Sequence, residues 1–456
     1  MTHPLLLALV SGALFSVALP NEIFLFGSPL LGLICLAPLF IALMRCRTPG
    51  KAAAAGAVFA FVSTPLSNYW LAFFKDYAFL TIGSVTAAYT VLFAVFAVFL
   101  WKFSRPGPYR PFLVAAFWTV YEFIKSTGYL AYPWGLVSYP VNTVLPLLQI
   151  ADIAGIWPIS FLMAFANALA AEAADLAGRR HPSPDESRNL AASAVFLLIL
   201  AAGFLGYGFV RMSRPIPAAA RLNAVLVQQN VDPWLSGGQE EALLRIQELS
   251  RRGAEKAGGR PDIVVWSESS LFRPYTEYAS RFTRYPPGDP FIPFLRGLGV
   301  PLLTGNPIVR GGSPRRVQNG VILLAPDGSV LDDYGKRHPV PMAEHVPFWE
   351  WKPVRDFFRN VVGLDSIWDL GDRDTIFSLT AGDGKTVRFG APICFEDAFP
   401  YLCRRFVRGG ADLLINLTND AWSRMASAQT QHFVAARFRS IEMKRTLIRS
   451  TNAGLT

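Results

Sequence analysis

Three segments far apart in this 456-residue chain put a reactive side chain at or just past the end of an apolar run or turn. APICFED breaks at Cys394, VVWSES at Glu268, and YGKRHPVP carries Lys336. Cysteine attacks carbonyl carbon as its thiolate, so Cys394 needs a base or an electropositive setting to ionise near neutral pH. Glu268 is the candidate base, given partial burial beside Trp266 and the carboxylates of Glu344 and Glu396 as available neighbours to raise its proton affinity. Acyl transfer passes through a tetrahedral oxyanion, for which Lys336 offers fixed positive charge and the N–H of Phe395 a second donor. His338, two residues beyond Lys336, offers a Cys/His alternative. Taken singly, each residue also has an ordinary reading: a buried core thiol, a helix N-cap, a solvated turn lysine.

The elements that must position these groups lie after about residue 220. LNAVLVQQN reads as a strand, Gln239 to Lys256 as an amphipathic helix and PDIVVWSES as a second strand ending at a carboxylate. Further strands are expected at VPLLTGNPIV, NGVILLAPDG, TVRFGAPICFE and ADLLINLTND, followed by a helix from about Gln429 to Lys444. Such alternation predicts an α/β sandwich, whose reactive groups sit where strands run out into loops. Glu268, Cys394 and Asn419 all fall at such ends. RSTNAGLT, at the end of the chain, reads as the start of another strand, so the sequence is expected to be truncated, lacking final strands and a closing membrane span.

Before residue 212 the chain reads as membrane. With 52% hydrophobic and 17% charged residues it is too apolar for one water-soluble protein. Seven spans are expected, at about 4–20, 23–44, 52–74, 78–101, 111–127, 150–177 and 190–210. Basic residues gather in alternate loops: Arg45, Arg47 and Lys51; Lys102, Arg105 and Arg110; Arg179, Arg180 and Arg188. The positive-inside rule places those loops and the N-terminus in the cytoplasm, and residue 220 onward outside. Glu122 and Lys125 interrupt the fifth span, either paired across one turn or serving a lipid path, and Tyr132 to Gly135 read as an aromatic-anchored interface turn. Residues 1–212 are thus expected as a membrane domain, 213–220 as a linker and 221–456 as the catalytic domain.

The net charge of +10 carries no dense basic run, which argues against nucleic acid. Four cysteines and five histidines show no metal-ligand spacing, so no metal or cofactor is expected; Cys394 and Cys403 could pair only in an oxidising compartment, at the expense of thiol chemistry. PFWEWKPVRDFF interleaves Phe348, Trp349, Trp351, Phe357 and Phe358 with Lys352 and Arg355, the composition of an interfacial arm or of a loop packed on the enzyme domain.

VVWSES, YGKRHPVPMAEHVPF and APICFED resemble the three catalytic segments of the nitrilase superfamily. Together with the spans, VQQNVDPW, WTVYEFIKSTGYLAYPWG and RFRSIEMKRTLIRSTNAG, they resemble its membrane-embedded branch, the apolipoprotein N-acyltransferase family. That resemblance implies an α-β-β-α sandwich on the outer face of the bacterial inner membrane. It implies a ping-pong reaction in which Cys394 takes an acyl chain from a phospholipid, usually phosphatidylethanolamine, and passes it to the N-terminal amine of a diacylated apolipoprotein. By position, Glu268 is then the base, Lys336 the stabiliser, Glu344 a second carboxylate, and Trp234, Phe395 and Glu396 supporting residues. Many members carry Tyr where this chain has Phe395, and Gly where it has Ala343. The alternative is a membrane-anchored amidase with the same chemistry and water as acceptor.

Overall fold

The computed structural model describes residues 3–74, 78–179, 183–214, 221–231, 238–311 and 315–456. Trp234 and most of the expected linker lie outside the described residues. The chain divides into two compact units: Met1–Pro215 with Met425–Glu442, and Ile216–Arg424 with Met443–Thr456.

The first unit is helical. In chain order it holds α1 (Pro4–Ala18), α2 (Pro29–Gly32), α3 (Ala37–Arg45), α4 (Pro49–Ser67), α5 (Ala78–Phe103), α6 (Arg110–Lys125), α7 (Leu145–Leu148), α8 (Ala151–Ala154), α9 (Trp157–Ala177) and α10 (Pro184–Ser213). Proline in the first turn, where no intrahelical N–H is needed, opens most of them, and Ser28, Thr48 and Ser183 cap three. Phe79–Phe103, Trp157–Ala177 and Pro184–Ser213 are long and apolar enough to cross a membrane by length and composition. Small residues let α4 and α5 close up: a Cβ added at Gly56 would lie 2.3 Å from that of Ala97. Trp118 sits at the centre, in edge contact with Phe40, Phe59 and Phe93.

Three expected spans are not single helices. The stretch 23–44 is broken between α2 and α3, and Asn167 of α9 takes up the exposed backbone, donating to the Gly32 carbonyl at 2.7 Å and accepting from the Leu36 N–H at 2.7 Å. Without such a partner a break in an apolar segment would leave polar groups unsatisfied. The stretch 52–74 leaves α-helical form after Ser67 and continues as a 3₁₀ turn, Tyr69–Phe73. The stretch 150–177 is interrupted at Gly155, whose φ of 69° ends α8.

The second unit holds β1 (Ala224–Val227), α11 (Gln239–Lys256), β2 (Ile263–Trp266), α12 (Tyr275–Phe282), α13 (Phe291–Leu298), β3 (Leu302–Arg310), β4 (Arg316–Leu324), β5 (Val330–Gly335), α14 (Lys352–Phe357), β6 (Ile376–Thr380), β7 (Thr386–Gly390), α15 (Pro400–Arg408), β8 (Leu413–Thr418) and β9 (Thr446–Thr451), with α16 (Ala426–Met443) between the last two strands. One sheet has the order β1-β2-β3-β4-β5, the other β6-β7-β8-β9. In the first, β1, β2 and β3 are parallel and β4 and β5 antiparallel additions; in the second, β7, β8 and β9 are parallel. The inner faces meet where Ser450 of β9 donates to the Val265 carbonyl of β2 at 3.1 Å. Val225, Val264, Trp266 and Leu302 bury against Ile246 of α11 and Phe291 and Phe294 of α13, and α15 covers the second sheet through Leu402, Cys403 and Phe406. This is the expected α-β-β-α sandwich.

The helix expected from about Gln429 to Lys444 belongs to the helical unit. Gln431 of α16 donates to the Pro20 and Ser67 carbonyls at 2.8 and 3.0 Å and accepts from the Trp70 indole at 3.2 Å. Arg437 donates to the Asn142 carbonyl at 2.7 Å. The division is therefore not one cut near residue 220, because α16 returns to the first unit between two neighbouring parallel strands of the second.

Candidate active site

Glu268 lies two residues past β2, in a turn where Ser269 adopts a φ of 58°. The turn presses on β3 so closely that a Cβ at Gly305 would fall 2.3 Å from the Ser269 nitrogen and 2.7 Å from the Glu268 Cα. Only glycine allows that passage. Lys336 follows β5 directly; its N–H donates to the Asn319 carbonyl at 2.7 Å and its own carbonyl accepts from Gly371 at 2.7 Å. Cys394 opens a 3₁₀ turn, Cys394–Ala398, at a φ of 49°. Asn416 of β8 holds this loop by donating to the Pro392 and Cys394 carbonyls, both at 3.1 Å.

The predicted groups converge. The Lys336 ammonium, 3% exposed, lies 2.8 Å from Glu344 Oε1 and 3.6 Å from Glu268 Oε1. Cys394 and Glu268 lie close enough for each to act on the other's proton affinity. The Val340 N–H fixes the other oxygen of Glu344 at 2.7 Å. Between the two carboxylates stands Asn319, whose side-chain N–H₂ donates to Glu268 Oε1 at 2.9 Å and to Glu344 Oε1 at 3.1 Å. Nothing in the motifs singles out Asn319; the available signal was a polar residue in strand β4, where it is buried next to the buried Gln318.

Glu396 is placed apart from that cluster, although it was expected beside Glu268. It is fully buried and joins two loops, accepting from the Arg337 and His338 N–H groups at 2.7 and 2.9 Å, from Ile393 at 2.8 Å, and from the Tyr334 hydroxyl at 3.0 Å. The loop bearing Lys336 and the loop bearing Cys394 are thus pinned by one carboxylate. Trp266 does not flank Glu268 either: its indole donates to Ser250 at 2.8 Å and its ring packs on Phe291 and Phe294, in the helix-side core. His338 pairs through Nδ1 with the Tyr401 hydroxyl at 2.7 Å and lies against Phe399, while burial holds its pKa down at about 4. Phe395 is buried against Phe399, and Asn419 accepts from Asn452 at 2.9 Å, outside the cluster. None of the four cysteines is in a disulfide.

The electrostatics follow from burial. Desolvation raises the pKa of Glu268, Lys336 opposes that, and the charge of Glu344 adds to it. Desolvation also works against the Lys336 ammonium, but Glu344 and Glu268 more than reverse it, so the lysine stays charged. The Cys394 thiol is pushed well above its ordinary range, first by burial and then by the charge of Glu268. At rest the site holds one fixed cation between carboxylates and a neutral thiol. Such a thiol reacts only as its proton passes to an adjacent base.

Residues 224–456 match the carbon-nitrogen hydrolase family model. Residues 11–169 match the model for the apolipoprotein N-acyltransferase N-terminal domain. Apolipoprotein N-acyltransferase 2 of Treponema denticola is 39% identical over 449 residues, covering 98% of this chain and 85% of that one. The enzyme of the same name from Treponema pallidum is 37% identical over 484 residues, covering 100% and 85%. Apolipoprotein N-acyltransferase of Borreliella burgdorferi is 33% identical over 456 residues, covering 99% and 84%. The chain belongs to the apolipoprotein N-acyltransferase family.

Proposed function

We propose that this chain moves a fatty acyl group from a phospholipid to the N-terminal amine of a diacylglyceryl-cysteine lipoprotein, by way of a thioester on Cys394. The observation that carries the reading is Glu268, 3.6 Å from the Lys336 ammonium and near enough to the Cys394 thiol for its charge to raise the thiol's proton affinity. As sulfur attacks the ester carbonyl, its proton passes to Glu268. The oxyanion that forms is met by Lys336 and the Phe395 N–H. The C–O bond then breaks, and Glu268 returns the proton to the departing lysophospholipid oxygen. In the second half the acceptor amine attacks the thioester, its proton goes to Glu268, and the C–S bond breaks to give an amide and the restored thiol.

Glu344 and Asn319 keep Lys336 and Glu268 in register, and Glu396 holds the loops that carry Lys336 and Cys394. Phosphatidylethanolamine is the proposed donor. The three basic loops support an inner-membrane protein with its N-terminus in the cytoplasm and the sandwich on the periplasmic side. Lipid substrates are further supported by the segment around α14, where Phe348, Trp351 and Phe357 are 79, 64 and 52% exposed, an apolar surface suited to a membrane interface rather than to packing on its own unit. The match of residues 11–169 favours this reading over an anchored amidase.

Intact-protein mass spectrometry of the membrane-purified chain tests it. A fatty acyl adduct is expected that hydroxylamine removes and that Cys394→Ala lacks. Turnover retained by Cys394→Ala would overturn the assignment.

A further inference from the structure

The helical unit contains a partly open pocket between α1, α4, α5 and α6 and the turn at 132–135. Lys125, at the end of α6, is the one charged residue among its lining. Of the two roles expected for it, pairing with Glu122 across one turn or serving a lipid path, the first does not hold, because the two have other partners. Glu122 does not line the cavity, and its Oε1 accepts from the Trp118 indole at 3.0 Å and the Val137 N–H at 2.7 Å. The Lys125 ammonium donates to the Trp134 carbonyl at 2.7 Å and the Gly135 carbonyl at 3.3 Å. An ammonium has three N–H donors. Its remaining side faces the rings of Tyr89 and Tyr121, 5.7 and 5.8 Å away, and both rings are cavity walls.

Asn68 and Tyr132, at the same rim, are already paired. Asn68 donates to the Thr64 carbonyl and the Ser67 hydroxyl and accepts from the Tyr132 hydroxyl at 2.6 Å. What the cavity offers a ligand is therefore one cation with a donor to spare, inside aromatic walls. Phe123, Ile124 and Leu130, flanking Lys125 in the chain, are 50, 56 and 65% exposed, an apolar surface that acyl chains would cover. A cation in such surroundings selects an anionic oxygen, and walls of rings select a ligand with an apolar continuation.

We propose that this cavity is a headgroup site for a phospholipid, with Lys125 meeting the phosphate and the aromatic walls holding the glycerol and the first acyl carbons. The inference deepens the reading of lipids as substrates and rests on it for its purpose, so it is tested by binding and not by turnover. Cys394→Ala protein in detergent is titrated calorimetrically with dihexanoyl-phosphatidylglycerol, with dihexanoylglycerol and with inorganic phosphate. The phospholipid is expected to bind saturably. Lys125→Met should weaken it about tenfold or more, the loss of one charge-assisted hydrogen bond, while Lys125→Arg stays within about threefold. Dihexanoylglycerol should be indifferent to both changes.

Phospholipid binding unchanged in a folded Lys125→Met protein would overturn the proposal and leave the lysine as a clasp on the 134–135 carbonyls. Inorganic phosphate binding as tightly as the phospholipid would overturn the lipid assignment. If Lys125→Met does not fold, Thr64→Phe fills the cavity while leaving the ammonium and its carbonyl bonds in place, and the same loss of affinity is expected. Lys125-dependent binding with no thioester on the unmodified enzyme would instead count against the catalytic reading alone.

Discussion

The molecule buries a glutamate and a lysine twice, and the two places treat them differently. On α6, Glu122 and Lys125 are one turn apart, yet each is held by separate neutral groups, an indole and a backbone N–H at one oxygen of the carboxylate and two carbonyls at the ammonium. In the sandwich, Glu268 and Lys336 come from different strands and are joined through Glu344 and Asn319. Neutral partners fix a charge without giving its proton anywhere to go. A shared network with a thiol at its edge lets a proton move, because the charges that remain compensate its arrival. Closeness in sequence is therefore a poor guide to which pair does chemistry.

The same substitution in both places is the sharpest way to break that contrast. Glu268→Gln removes the base, and the rate of thioester formation should fall about 10²- to 10⁴-fold, the usual contribution of general-base catalysis. Glu122→Gln retains an oxygen that can accept from Trp118 and Val137, so acylation should stay within about threefold and the change should register mainly as a lower melting temperature. Stopped acylation reactions followed by intact mass, alongside thermal melts, separate the two. Equal losses of acylation would show the contrast to be false.

A smaller effect probes the network from inside. Asn319→Asp puts a third carboxylate against Glu268, whose pKa burial and Glu344 already raise. Another negative neighbour must raise it further, so less of the base is ionised at a given pH. The acid limb of the acylation profile should move up by about one unit, with a tenfold loss near neutral pH that recovers in alkali. Asn319→Ala, which adds no charge, should lower the rate across the profile without moving the limb. A limb unmoved in Asn319→Asp would mean that the amide does not tune the base.

Much of this was legible in the sequence, for a physical reason. Glu268 and Cys394 each end or directly follow a run with strand periodicity, so the chain announces both the element and its edge, whereas β5, which leads into Lys336, carries no such run. Asn319 gave no such notice, since its importance comes from what β2 and β5 bring to either side of it. The break between α2 and α3 was equally hidden. Hydropathy sees an unbroken apolar stretch at 23–44, and the group that makes a break tolerable, Asn167, is supplied by a distant helix. For α16 the sequence predicted a helix in nearly the right place but not its unit, because Gln431 and Arg437 choose partners that no local pattern contains.

The smallest expected effect concerns Glu396, a buried carboxylate that belongs to neither kind of pair. Burial raises its pKa from an ordinary 4.5 to about 7, against the backbone N–H groups of Ile393, His338 and Arg337 that favour the charged form. The folded chain therefore keeps a proton that the unfolded chain gives up. Its contribution to stability is complete below about pH 4.5 and is lost as pH rises to about 7, after which the dependence is flat. Glutamine cannot titrate, so Glu396→Gln should remove this part of the slope. It also turns an N–H₂ group toward backbone donors, which should cost about 1 to 3 kcal/mol. Melting temperatures of the two proteins in detergent should thus differ most near pH 5 and converge toward pH 8. Parallel curves would mean that Glu396 does not titrate in this window, and would leave it a fixed anion closer in character to Glu122 than to Glu268.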